Sequence, residues 1–171
     1  MALDDIGLAA ALQQLVSKLE ARGVVAADFQ LDGKPVQLSK YVEIAAFRIV
    51  QEALANVAHH AGTKMARVRV LYTKTALSIL VEDNGKGFDP EAPVLAEEAI
   101  GRDDGATEAA AEGEAPQLLP ETSHFGLVNM QERAKIIGAE FSVTSKPGKG
   151  TRVHLRIPYQ KEDVAVRQKK A

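Results

Sequence analysis

The 171-residue chain contains no cysteine and no tryptophan, and aromatic side chains make up only 5% of it. Without thiols it can build neither disulfides nor thiolate metal sites, which fits a reducing compartment. Few aromatics mean no stacking platform for the bases of a nucleic acid. A net charge of −2 and a pI of about 6.1 lack the basic excess of a phosphate-backbone binder. No apolar run approaches the roughly 20 residues that a membrane-spanning helix needs, and no targeting peptide is visible. The expectation is a cytoplasmic domain that touches neither nucleic acid nor membrane, with membrane anchorage of a longer parent left open.

What is present is ample apolar content, 46% of the residues, enough for one core. Leu8, Leu12, Leu15 and Leu19 recur at helical spacing and predict a helix over 4–22 that Gly23 caps. A short strand is expected at 24–31. A long helix then runs from Ser39, as N-cap, to Ala61, with Gly62 as its stop. Strands are predicted at 67–72 and 76–82 around Thr73-Lys74-Thr75, and a helix at 126–137 that ends at Gly138. Lys146-Pro147-Gly148-Lys149-Gly150 joins strands 140–145 and 151–157 as a hairpin. The pattern predicts an α+β fold, one sheet with helices on one face, spanning 1–160, with a frayed charged tail at 161–171.

Residues 89–123 break the pattern. They are rich in Ala, Glu, Gly and Pro and carry ten carboxylates against Arg102 alone. The local charge is −9, which leaves +7 on the rest of the chain. A 35-residue stretch of this kind inside a small domain is either a functional lid or a disordered insertion.

Four segments carry chemistry. Residues 83–88, Asp83-Asn84-Gly85-Lys86-Gly87-Phe88, follow an alternating strand in which Leu77, Ile79 and Val81 share a face. A carboxylate there can accept from the exocyclic amine of adenine and would reject the carbonyl of guanine. Gly85 and Gly87 let backbone and base come close. Asp-Asn-Gly alone is also a good hairpin turn. On the long helix, at 100° per residue, Phe47, Val50, Leu54, Val57, Ala58 and Ala61 fall on one side. Arg48, Glu52, Asn56, His59 and His60 fall on the other. Glu52 and Asn56 stand one turn apart, suited to holding a hydrated Mg²⁺ with nucleotide phosphates. In the third segment Gly126 opens the helix 126–137, where free amides suit anions. In the fourth, Thr151 after Gly148-Lys149-Gly150 either reaches a base or a bridging water, or is a plain β-branched strand residue. Lys149-Gly150-Thr151 has the wrong order for a P-loop, and no helix follows it.

Residues 47–56 (Phe-Arg-Ile-Val-Gln-Glu-Ala-Leu-Ala-Asn), 83–88, 126–134 (Gly-Leu-Val-Asn-Met-Gln-Glu-Arg-Ala) and Gly150-Thr151 resemble, in order, the asparagine box and glycine boxes of sensor histidine kinases. The subfamily most resembled is the nitrate-sensor type, which phosphorylates response regulators with helix-turn-helix output domains. Leu3-Asp4-Asp5-Ile6-Gly7-Leu8 is similar to the junction after that subfamily's dimerisation helices. The resemblance implies a Bergerat-type ATP-binding fold, a two-layer α/β sandwich with a mixed sheet, shared with gyrase, mismatch-repair ATPases and a heat-shock chaperone. It implies ATP and Mg²⁺ as ligands, Asp83 at the adenine amine and Asn56 on the metal. Gly85, Gly87 and Gly126 would shape the pocket and lid ends, with Phe88, Leu127 and Thr151 beside them and His60 near the phosphates. Glu52 would be the base of the related ATPases; in histidine kinases the base is often an acid beside the phosphoacceptor histidine.

The departures are informative. The phosphoacceptor box, a His followed by an acid on a dimerisation helix, is missing from these residues. His59, His60, His124 and His154 all fall elsewhere. Ser123 stands where many members have another glycine, which predicts a stiffer lid hinge. The acidic lid is expected to stay mobile and point away from the phosphates, so deleting 92–119 should leave nucleotide affinity intact. The implied protein is the ATP-binding catalytic domain of a histidine kinase, monomeric in isolation. It would act on a histidine of a separate helical dimerisation domain and, through it, on a response regulator. The rivals are a stand-alone anti-sigma-type serine kinase of the same fold and a non-catalytic nucleotide-binding scaffold.

Overall fold

The computed structural model describes residues 3–89 and 123–159, with backbone alone at 3–5 and 123–125. The elements follow in the order α1 (Leu3–Ala21), β1 (Ala26–Asp32), α2 (Lys40–His60), β2 (Met65–Tyr72), β3 (Ala76–Asp83), α3 (Ser123–Ile136), β4 (Glu140–Ser145) and β5 (Thr151–Pro158). The strands form one five-stranded sheet in the order β1-β2-β3-β5-β4. Strands β1 and β2 are parallel, joined through α2, and the remaining pairs are antiparallel. This is the expected α+β arrangement with a mixed sheet and helices packed on one face.

Strand β2 shows the layering in its simplest form. Ala66, Val68, Val70 and Tyr72 are buried while Met65, Arg67, Arg69 and Leu71 are exposed, the period-two alternation of a sheet covered on one side. The covered face packs against Leu8, Leu12 and Val16 of α1 and Ile49, Val50, Leu54 and Val57 of α2. The open face carries cross-strand charge pairs in one row. Arg67 Nε lies 3.6 Å from Asp28, and Arg152 Nη2 lies 2.6 Å from Glu82. Arg156 and Glu140 pair farther along at 2.6 Å.

Helix ends are set by the expected residues. Ser39 caps α2 and accepts from the Val42 amide at 3.4 Å. Gly23 ends α1, with its amide bonded to Glu20 O and that of Val24 to Leu19 O. Four readings need correction. Strand β1 starts two residues later than expected and β2 two residues earlier, because their parallel pairing begins at Ala26↔Met65. Helix α1 is not continuous, since Gly7 has φ 74° and ψ 167° and bends the chain. Helix α3 starts at Ser123, so Gly126 is its fourth residue and not its first. Glycine's poor helix propensity is outweighed there by close packing against α2, described below. The apolar side of α2 also yields a surprise at Glu43, which is 4% exposed and faces the Tyr72 end of the core. The acidic segment between Asp89 and Ser123 and the tail from 160 lie outside the described residues, as does the reading of the lid hinge.

Candidate functional site

Asp83 is the last residue of β3 and is buried, with 9% exposure. The sheet directs it toward the helices. Val81 on β3 is buried on the covered face, and two residues on the same side is Asp83. Its Oδ1 accepts the amide of Gly85 at 2.7 Å, an Asx-type turn that fixes the carboxylate and leaves Oδ2 to accept elsewhere.

The loop after Asp83 is bound to two other parts of the chain through backbone contacts. The Lys86 amide donates to Ala61 O at the C-terminus of α2, 2.7 Å away, and so satisfies a carbonyl that the helix leaves open. A Cβ on Gly85 would land on that same Ala61 carbonyl, so only glycine permits the approach. On the other side the Gly148 amide donates to Lys86 O at 2.6 Å. Gly87 has φ 59°, and a side chain there would strike Lys146 O of the β4–β5 hairpin. Gly150 has φ 76° and abuts Asp83 O in the same way. The loop, the end of α2 and the hairpin thus form one junction, with Lys86, Lys146 and Lys149 exposed around it.

One side chain closes the junction from inside. Ser145, at the end of β4, is 6% exposed. Its Oγ accepts from the Phe88 amide at 2.9 Å, bonds Gly150 O at 2.9 Å and lies 3.0 Å from Thr151 Oγ1. The sequence reading passed it over. Its signal was a polar residue at the third inward position of a strand whose other inward residues are Phe141 and Val143.

The polar flank of α2 forms the second half of the site. Glu52 and Asn56 are half-buried, unlike a plain solvated face. Gly126 of α3 lies against both. A Cβ placed there would be 2.5 Å from Glu52 Oε1 and 3.6 Å from Asn56 Nδ2. Leu127, the next residue, packs on the core. His60 is half-buried in the last turn of α2, one residue before the Ala61 junction, and its ring lies 6.2 Å from that of His59. The predicted residues therefore gather into two clusters at one region of the fold. Asp83, Gly85, Gly87, Phe88 and Thr151 make the first, and Glu52, Asn56 and Gly126 make the second. A groove of about 560 Å³ opens at the first cluster, lined by Asp83, Asn84, Gly150 and Thr151 and by Arg67, Glu82 and Arg152 of the open sheet face. The flank of α2 does not line it.

Among the described residues no group of three His, Cys, Asp or Glu could hold a metal. The Glu52–Asn56 pair offers oxygen donors, the kind of sparse set that Mg²⁺ accepts alongside waters and phosphates. No helix among the described residues is long and apolar enough to cross a membrane.

Comparisons with known proteins identify relatives of this chain. Signal transduction histidine-protein kinase/phosphatase DegS of Brevibacillus brevis is 32% identical over 163 residues, covering 95% of this chain and 35% of that protein. The protein of the same name from Bacillus subtilis (strain 168) is 31% identical over 161 residues, covering 92% of this chain and 36% of that one. The chain thus spans about a third of the length of the curated relatives it matches. Among solved structures, the histidine kinase domain of a blue-light activated histidine kinase from Erythrobacter litoralis shares the fold. Its TM-score is 0.59 at 21% identity, covering 91% of this chain and 67% of that one. Residues 41–161 match the family described as histidine kinase-, DNA gyrase B- and HSP90-like ATPases, so every cluster above falls within the matched region and the chain belongs to that family.

Proposed function

We propose that this chain is the ATP-binding catalytic domain of a two-component sensor histidine kinase. In this reading residues 1–160 form one domain that holds Mg²⁺–ATP. It transfers the γ-phosphoryl group to a histidine on a helical dimerisation domain of the parent protein. The observation that carries the reading is that the four separated motifs meet in two pairs. Asp83 with its glycine turn meets Thr151 through Ser145, and Gly126 closes on Glu52 and Asn56. The relatives named as histidine kinases support histidine over serine as the acceptor.

Each residue then has a task. Asp83 Oδ2 accepts from the adenine amine, Gly85 and Gly87 admit the base, and Phe88, Leu127 and Thr151 line its pocket. Asn56, with Glu52 one turn away, provides the oxygens for Mg²⁺. A bound Mg²⁺ supplies neutralisation of charge on the transferring phosphates. Gly126 keeps the start of α3 close to this pair, and His60 stands on the phosphate side. Catalysis on these terms is positioning and charge compensation, the usual demands of phosphoryl transfer. The parent's regulator carries a helix-turn-helix output domain, as in the nitrate-sensor type; the Leu3–Leu8 junction supports that placement.

The test is a phosphotransfer assay. The chain alone, with ATP and Mg²⁺, is expected to bind nucleotide and acquire no phosphohistidine. Adding the parent's helical domain is expected to put label on that domain, and Asn56→Ala to abolish the transfer. Phosphohistidine on the isolated chain, or undiminished transfer by Asn56→Ala, would refute the corresponding role.

A further inference from the structure

The Ser145 hydroxyl has three polar neighbours and only one proton. An alcohol oxygen donates once and accepts twice. The Phe88 amide can only donate, so it fills one lone pair of Ser145 Oγ. The Gly150 carbonyl can only accept, so it takes the Ser145 proton. The 3.0 Å contact to Thr151 Oγ1 is then a hydrogen bond only when Thr151 gives its own proton to the second lone pair. Turning the Ser145 proton toward Thr151 instead would leave Ser145 Oγ and Gly150 O facing each other at 2.9 Å with no hydrogen between them. One arrangement satisfies all three contacts, and in it Thr151 has spent its donor inward.

That arrangement sets what the neighbouring surface offers. The β3–β5 register runs to Glu82↔Arg152, and one step further brings Asp83 beside Thr151. Both fall on the side of Val81 and Val153, the covered face of the sheet. Asp83 presents Oδ2 as an acceptor, because Gly85 occupies Oδ1. Thr151, with its proton committed to Ser145, presents lone pairs only. The rim is therefore made of acceptors, with no side-chain donor from either residue.

We propose that Ser145 is a specificity-determining positioning residue. By fixing the hydrogen-bond sense of Thr151 it makes this rim accept only, and so selects a purine with an amine at its six-position over one with a carbonyl. The proposal rests on the nucleotide-binding reading above. Without Ser145 the Thr151 hydroxyl is free to rotate and donate to a six-position carbonyl.

The experiment measures dissociation constants for ATP and inosine triphosphate by calorimetry, for the wild-type chain and for Ser145→Ala, Thr151→Val, Thr151→Ser and the Ser145→Ala/Thr151→Val double variant. The wild type is expected to favour ATP. Ser145→Ala is expected to narrow that preference by about tenfold, the worth of one hydrogen bond. Adding Thr151→Val to Ser145→Ala should take back the gain in inosine triphosphate binding, a reversal that loss of packing alone would not produce. Equal weakening of both nucleotides by Ser145→Ala, or no reversal in the double variant, overturns the proposal. If Ser145→Ala does not fold, Thr151 decides. Thr151→Ser should keep the wild-type preference and Thr151→Val should reduce it, and an unchanged ratio in Thr151→Val overturns the idea. A wild-type chain that binds neither nucleotide fells the nucleotide reading itself, which separates the two failures.

Discussion

At Asp83 a short acid is held by its own turn, with Gly85 taking one oxygen and leaving the other to face the site. Asp83→Asn keeps the shape but, in the proposed nucleotide pose, places a donor where the adenine amine would also donate. Calorimetry is expected to show ATP binding weakened by about 2 kcal/mol, and unchanged binding would remove Asp83 from the pocket. Far from the site, Tyr72 is buried, and desolvation, with smaller contributions from Tyr159 and Glu43, pushes its phenol up to about 12. The folded state thus favours the neutral phenol. The stability this provides is whole below pH 10 and is lost as pH rises from 10 through 12. Two units correspond to about 3 kcal/mol. Urea unfolding between those pH values should show a steeper loss for wild type than for Tyr72→Phe. Asp83, Asn56 and Glu52 stand out in the sequence as candidates because each sits in a short pattern with a chemical reason. Ser145 and Glu43 do not, since the burial of a single polar residue depends on which other segments meet it.

Among the elements, α2 and β3 were the most readable. A capped apolar stripe and a strict alternation each specify one secondary structure and one buried face. The starts of β1 and α3 were read less accurately, because both are set by partners distant in sequence. The parallel register with β2 begins β1, and Glu52 and Asn56 on α2 make a glycine welcome inside α3. The β4–β5 hairpin was expected as a connection, but its contact with the Asp83 loop was not visible from spacing. Gly150→Ala tests that contact. The change forces a side chain at φ 76° into the Asp83 carbonyl, at an expected cost of about 2–4 kcal/mol. The urea midpoint should fall with an unchanged slope.

For the molecule as a whole, the sheet divides labour between its faces. The covered face builds the core and delivers Asp83, while the open face carries exposed ion pairs of little individual worth, roughly 0–1 kcal/mol each. The candidate residues lie on α2, β3, α3 and the hairpin, so a ligand held by all of them would tie together elements far apart in the chain. ATP with Mg²⁺ at one hundred times the dissociation constant should add about 2.7 kcal/mol. A thermal melt should then rise by roughly 5–10 °C, and an unmoved melt would argue against binding to the native state.

The amide of Gly148 is committed to Lys86 O. Surface hairpin tips are ordinarily where a chain accepts an inserted epitope or a fluorophore with little harm. This tip is a strut, and prising it open would loosen the loop that carries Asp83. The short Thr73–Thr75 turn, bonded only to its own strand ends and to Tyr159 N among the described residues, is the safer place to graft a reporter.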